Sequence, residues 1–245
     1  MKAVLLGATR GMGRALARLL AERGEQLFLL GLPEEDLLRS AADLEIRGAG
    51  GKVGTAHCDL LDPGSFAPAL ERADATLDGF DTAVVTAGLF ATQEELEDDP
   101  ERCRQLLTAD FTNTVQFCED VRKRLLSRGG GTLCVFSSVA GERARKPVIL
   151  YGAAKAGLSH YLEGLDHKFA LQGLRTVVVK PGFVKTGMTA GLEPPPFAAE
   201  APEAAAVALR AIDRGRPVVF ASGIWRWIML VIRLLPRAVM RRIAF

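Results

Sequence analysis

The feature that most restricts this chain stands near its start. Residues 3–6 form a short apolar run of the kind that makes a buried strand, and Gly7-Ala-Thr-Arg-Gly-Met-Gly13 follows at once. From residue 14 to 23 the pattern is helical, with Ala15, Leu16, Leu19 and Leu20 on one side. Strand, glycine turn and helix in this order suit a pyrophosphate. The glycines permit a tight turn and close backbone approach, and the helix N-terminus presents amide donors and a partial positive charge. A glycine-rich turn alone is weak evidence; set between strand and helix it carries more.

The alternation continues along the chain. Strand-like runs at residues 26–30, 51–56, 81–86, 131–136, 176–179 and 217–221 are separated by helical stretches at 36–47, 65–77, 100–127 and 153–170. This order predicts an α/β fold of Rossmann type, a doubly wound parallel sheet in three layers, as a single domain over residues 1–223. Ligands of such sheets lie beyond the carboxyl ends of the strands. That rim carries the glycine turn, Asp59, Ala87-Gly88, Ser138 and Pro181-Gly182. With 245 residues and 49% hydrophobic content the chain can bury a large core, and no low-complexity tract marks a linker. The four cysteines, Cys58, Cys103, Cys118 and Cys134, show neither paired spacing nor a histidine at metal-like separation. Free thiols in the cytoplasm and no metal site are therefore expected. The apolar run opens almost at Met1, which leaves no room for a signal peptide.

Tyr151 and Lys155 are four residues apart at the start of a helical stretch, so they share a face. An ordinary phenol titrates near ~10, and an ammonium beside it favours the phenolate and draws that value toward neutral pH. Such a tyrosine can exchange a proton with a carbonyl or alcohol oxygen, and Ser138 at the end of the preceding strand could bond the same oxygen. Tyr-x-x-x-Lys is common on helices and means little by itself. Its convergence with the other rim residues is what gives it meaning.

Together these stretches resemble the short-chain dehydrogenase/reductase family in its classical form, from Gly7 to about Met188. The resemblance implies that Gly7, Thr9, Arg10, Gly11, Met12 and Gly13 hold the cofactor phosphates. Asp59 and Leu60 would meet the adenine, and Ala87 and Gly88 would line the cofactor groove. Tyr151 would be the acid and base, with Lys155 on the nicotinamide ribose and Ser138 on the substrate oxygen. Pro181, Gly182, Val184 and Thr186 would hold the carboxamide end. Three departures stand out. Thr86 replaces the family's usual asparagine before Ala-Gly, where a threonine can still bond the backbone. Asp110 stands where the family has a helix asparagine that supports a water relay to the lysine; it is expected to keep that catalytic place, with Asn113 one turn on as the substitute. Residues 30–33 show neither the arginine nor the acid by which cofactor preference is usually read, while Arg10 suits a 2′-phosphate; NADP(H) is expected over NAD(H).

The tail, residues 224–245, holds five arginines and no acid, which leaves residues 1–223 at a net charge of −3. This asymmetry argues against a nucleic-acid surface. On a helical wheel Arg226, Arg233, Arg237 and Arg241 fall within about 80°, with Trp225, Trp227 and several aliphatic residues around the rest. A basic amphipathic helix lying on an anionic membrane is expected, with Pro236 kinking or restarting it; packing against another subunit, as in the dimers and tetramers of the family, is the alternative. The apolar residues Met188, Leu192 and Phe197 of the segment 187–202 suggest a substrate with a greasy portion. The chain is also more loosely similar to the keto-reductase half of bacterial polyprenyl-phosphoryl-ribose epimerases, which implies a lipid-linked carbonyl substrate at the inner face of the membrane. A soluble reductase of 3-ketoacyl, steroid or small carbonyl compounds, and a dinucleotide sensor without turnover, remain as alternatives.

Overall fold

The computed structural model describes residues 1–243. Seven strands form one parallel sheet: β1 (Lys2–Leu6), β2 (Gln26–Gly31), β3 (Gly54–His57), β4 (Thr82–Val85), β5 (Gly131–Phe136), β6 (Leu174–Pro181) and, at the far edge, β9 (Val218–Ala221). Their order is β3-β2-β1-β4-β5-β6-β9, so the chain reverses its direction of winding between β1 and β4. Two short strands, β7 (Val184–Lys185) and β8 (Ala199–Glu200), pair separately. The strands are apolar on both faces because both faces are covered. On one side Leu5, Leu29 and Val179 pack under α1 (Gly11–Glu22), α2 (Glu34–Ile46) and α8 (Ala201–Arg214). On the other, Leu6, Leu30 and Val178 pack under α3 (Phe66–Leu77), α6 (Thr114–Ser127) and α7 (Ile149–Phe169). Alternate residues of one strand thus serve two cores, which is the period of two written into the pleat. The expected doubly wound, three-layer sheet is the fold found.

Several element boundaries differ from the sequence reading, each for a local reason. Helix α1 begins at Gly11 inside the glycine turn, so its first amides already face the strand ends. The stretch 100–127 is a continuous rod with a defect: α5 (Pro100–Leu107) runs into a π turn (Thr108–Asn113) and then α6. A π turn inserts one extra residue per turn and redirects side chains there. Helix α7 starts at Ile149, which puts Tyr151 and Lys155 in its first two turns. The short helix α4 (Gln93–Asp98) is closed by a capping box between Thr92 and Glu95. The basic tail forms two helices, α9 (Ile224–Leu234) and α10 (Arg237–Arg242). Pro236 separates them because it lacks an N–H and its fixed φ begins a helix more readily than it continues one. Of the expected tail helix, Ala244 and Phe245 lie outside the described residues.

Helix α9 does not lie free. Trp225, Met229 and Ile232 are buried against Val139 and Phe220. Arg143 Nη2 donates to Leu235 O at 3.0 Å and Lys146 Nζ to Arg241 O at 2.9 Å, tying the tail to the loop before α7. No helix among the described residues is long and apolar enough to cross a membrane.

Candidate active site

The glycine turn is held against the end of β4. Gly7 has φ +94°, and a Cβ there would sit 2.5 Å from Ala87 N; a Cβ on Gly13 would meet Gly7 O and Thr86 Oγ1, each at 2.3 Å. Thr86 Oγ1 donates toward Leu6 O (3.1 Å) and Gly7 O (3.0 Å), so the threonine ties the turn to the strand as a polar side chain there should. The N-cap of α1, Arg10, makes no side-chain cap bond, and the first turn contains no acid. Its amide donors and dipole are thus left for an anion. These are the properties that a dinucleotide diphosphate requires, and Gly7, Thr9, Arg10, Gly11, Met12 and Gly13 are the residues that would hold it. Asp59 and Leu60 close the next strand end: Asp59 Oδ1 accepts from Leu61 N at 2.8 Å, and Leu60 O accepts from Asn113 Nδ2 at 2.6 Å. The Asn113 amide is engaged there and not beside Lys155. Arg10 is paired with Asp36 of α2 at 2.7 Å, a partner that nothing in the sequence pattern singled out.

The second cluster sits where β5, the π turn and α7 meet. Ser138 follows β5, and its Oγ accepts from Ala140 N at 3.1 Å. Lys155 is 5% exposed, and its Nζ lies 5.6 Å from the centroid of the Tyr151 ring. Behind it Asp110, completely buried, places Oδ2 3.1 Å from Lys155 Nζ, while Oδ1 accepts from Leu89 N at 2.6 Å. Burial opposes the Lys155 ammonium, but Asp110 and Tyr151 outweigh it and hold the lysine above its ordinary value. The Tyr151 phenol differs from the sequence expectation. Burial pushes it up, Lys155 pulls it down, Asp110 adds to the rise, and the outcome without a cofactor is above the ordinary phenol. Burial and the Asp110 carboxylate together outweigh the pull of the lysine on this phenol.

Ser138 and Tyr151 share a cavity of about 680 Å³ with Met12, Pro181, Gly182, Val184 and Thr186. Two residues of the expected catalytic set and the segment expected at the nicotinamide end are therefore brought to one place. Phe90 meets the Tyr151 ring edge-on at 5.1 Å between centroids, and Met188, Leu192 and Trp225 extend the apolar wall. Phe197, expected to contribute, is 58% exposed and is absent from the cavity lining. Trp225 lies directly on Gly182, where a Cβ would be 2.0 Å from the indole Nε1. Arg145, Lys146, Glu94 and Glu97 supply charge at the cavity wall. None of Phe90, Arg145 or Trp225 was read from the sequence as part of this wall, because only the folded chain brings residues so far apart together.

The short chain dehydrogenase family model matches residues 1–196. An uncharacterized oxidoreductase of Mycobacterium tuberculosis is 33% identical over 239 residues, covering 98% of this chain and 95% of that protein. Carbonyl reductase family member 4 of Xenopus tropicalis is 29% identical over 77% of this chain and 78% of its own length. Among solved structures, a short-chain type dehydrogenase/reductase from Mycobacterium ulcerans superposes with a TM-score of 0.82 at 18% identity, covering 98% of this chain and 97% of that one. Levodione reductase gives 0.81 at 23% identity over 90% and 95%. The chain belongs to the short-chain dehydrogenase/reductase family. It is thus an oxidoreductase that uses a nicotinamide dinucleotide.

Proposed function

We propose that the protein is an NADP(H)-dependent reductase interconverting a ketone and a secondary alcohol, with Tyr151 as acid and base, on a substrate with a lipidic or lipid-linked portion. The observation that carries this reading is the shared cavity, in which Ser138 and Tyr151 face the segment from Pro181 to Thr186 and Met12 of the glycine turn. When bound, the reduced nicotinamide supplies hydride to the carbonyl carbon. Tyr151 gives its phenolic proton to the carbonyl oxygen, and the Ser138 hydroxyl bonds that oxygen while charge develops on it. Lys155 would hold the ribose side of the cofactor and lies beside the tyrosine, with Asp110 holding Lys155 in turn. NADPH oxidation followed with a panel of ketones tests the reading. Tyr151→Phe should lower kcat by about 10²–10⁴-fold with little change in cofactor affinity; undiminished turnover would remove the tyrosine from the mechanism.

The lipid-like substrate and a membrane contact rest on the tail. The outward side of α9 carries Trp227, Leu230, Val231 and Leu234, all exposed, with Arg226 beside them. Arginine, tryptophan and aliphatic residues in this arrangement favour the headgroup region of an anionic bilayer at the cytoplasmic face. The inward side of the same helix walls the cavity through Trp225. Association into a homodimer or homotetramer is supported by β9, an edge strand that among the described residues pairs with β6 alone. A soluble reductase of small carbonyls is the second reading, favoured by the burial of Trp225, Met229 and Ile232, which removes part of the tail's apolar surface from any membrane.

A further inference from the structure

Beneath the tyrosine, two opposite charges are locked together away from solvent. Asp110 reaches Lys155 because the π turn Thr108–Asn113 carries it toward the sheet edge, and the Leu89 amide fixes its other oxygen. Gly88 leaves just enough room: a Cβ there would stand 3.0 Å from Asp110 Oδ1 and 3.3 Å from Lys155 Nζ. The charge count of this group is independent of which atom holds which proton. With the phenol protonated, Asp110, Lys155 and Tyr151 together carry no net charge, and removing one proton leaves −1. With a neutral side chain at position 110, the same step would run from +1 to zero. In a poorly solvated site, making net negative charge is harder than cancelling positive charge.

The other charges facing Tyr151 do not redress the balance. Glu94 and Glu97 of α4 and Arg145 and Lys146 of the loop before α7 line the cavity, two of each sign. Ser138 and Phe90 are uncharged, and Cys103 of α5 belongs to the apolar cluster against which the tyrosine packs. Resting on the assignment of Tyr151 as acid and base, we propose that Asp110 is a positioning residue that cancels the Lys155 charge, keeping Tyr151 a proton donor through neutral and mildly alkaline pH and setting the site for carbonyl reduction. The overall equilibrium of the reaction is untouched. What Asp110 sets is the pH at which each direction finds the tyrosine in its working state: protonated for reduction, ionised for alcohol oxidation.

The chain offers an unusually clean readout, because it contains two tyrosines. The second, Tyr161, donates its hydroxyl to Glu119 Oε1 at 2.7 Å, and burial together with neighbouring acidic groups holds it protonated far above the ordinary range. Alkaline difference absorbance of tyrosinate in the folded, cofactor-free protein therefore reports Tyr151. The wild-type midpoint should lie above ~10, the ordinary phenol value, and Tyr151→Phe should abolish the transition below the pH of unfolding. Asp110→Asn and Asp110→Ala should each lower the midpoint so that the acid constant rises at least about tenfold. The acid limb of alcohol oxidation should move down in pH with it. A wild-type midpoint at or below ~10 overturns the proposal, and so does an unmoved midpoint in a position-110 variant with native near-UV circular dichroism. If neither variant folds, a wild-type midpoint at or below ~10 still overturns the proposal. Carbonyl reduction surviving in Tyr151→Phe would instead overturn the acid/base assignment, whatever the titration shows.

Discussion

At Gly88 one added methyl group would push between Asp110 and Lys155, whose carboxylate and ammonium both lie within 3.4 Å of where it would sit. Gly88→Ala should therefore leave the melting temperature within a few degrees and still lower kcat by about tenfold, the size of effect that a small misplacement of a catalytic group produces. Steady-state kinetics beside a thermal melt would check it. Arg10 presents a different case, because its guanidinium is exposed yet held by Asp36. If that guanidinium also reads a 2′-phosphate, Arg10→Ala should raise the KM for NADPH about tenfold and leave that for NADH unchanged, one charge-assisted hydrogen bond being worth about 1.5–3 kcal/mol. Asp36→Asn, which frees the arginine, should shift preference further toward NADPH. A comparison of the two cofactors across both variants distinguishes a phosphate contact from a purely structural ion pair.

Among the elements, α9 divides most sharply into two faces. Trp225→Ala removes a large side chain from the cluster with Met229, Ile232 and Val139, and should destabilise the fold by about 3–5 kcal/mol while enlarging the cavity beside Tyr151. The paired change Trp227→Glu and Val231→Glu lies on the exposed face, and should leave the melt unchanged while abolishing flotation with anionic phosphatidylserine vesicles. Failure of the unaltered protein to float would favour the soluble reading, and flotation unaffected by those two charges would move the contact away from this face of α9. The sheet and most of its helices were legible in the sequence because strands buried on both faces leave continuous apolar runs, while helices with one buried face leave a longer period. The Ser138–Tyr151–Lys155 cluster was legible because it sits within one strand-to-helix crossing. Helix α9 was only half legible: its wheel showed an arginine stripe and a broad apolar remainder, but not that Trp225, Met229 and Ile232 would turn inward. That choice depends on the space over Gly182 and Val139, which are distant in sequence. The π turn left no sequence mark either, since it depends on how α5 packs against α7 and α6 against the sheet.

For the molecule as a whole, charge is divided along the chain, with a surplus of five arginines after residue 223 and a net −3 before it. If the tail meets an anionic surface, binding should weaken steeply between about 0.1 and 0.5 M salt, as the Debye length contracts to less than half its value. Retention on neutral vesicles should be slight at every salt concentration. Binding insensitive to salt would point to aliphatic insertion alone. The pairing of Arg10 with Asp36 and the place of Arg145 in the cavity wall were beyond the sequence for the same reason: each joins segments that meet only after the layers have closed. In α9 a single span of eleven residues walls the cavity beside Ser138 and Tyr151 on one side and presents an outer surface on the other. Remodelling Trp225 to widen that cavity would therefore tilt the outward residues too, so that a change of selectivity would carry with it a change of the surface the helix shows to its surroundings.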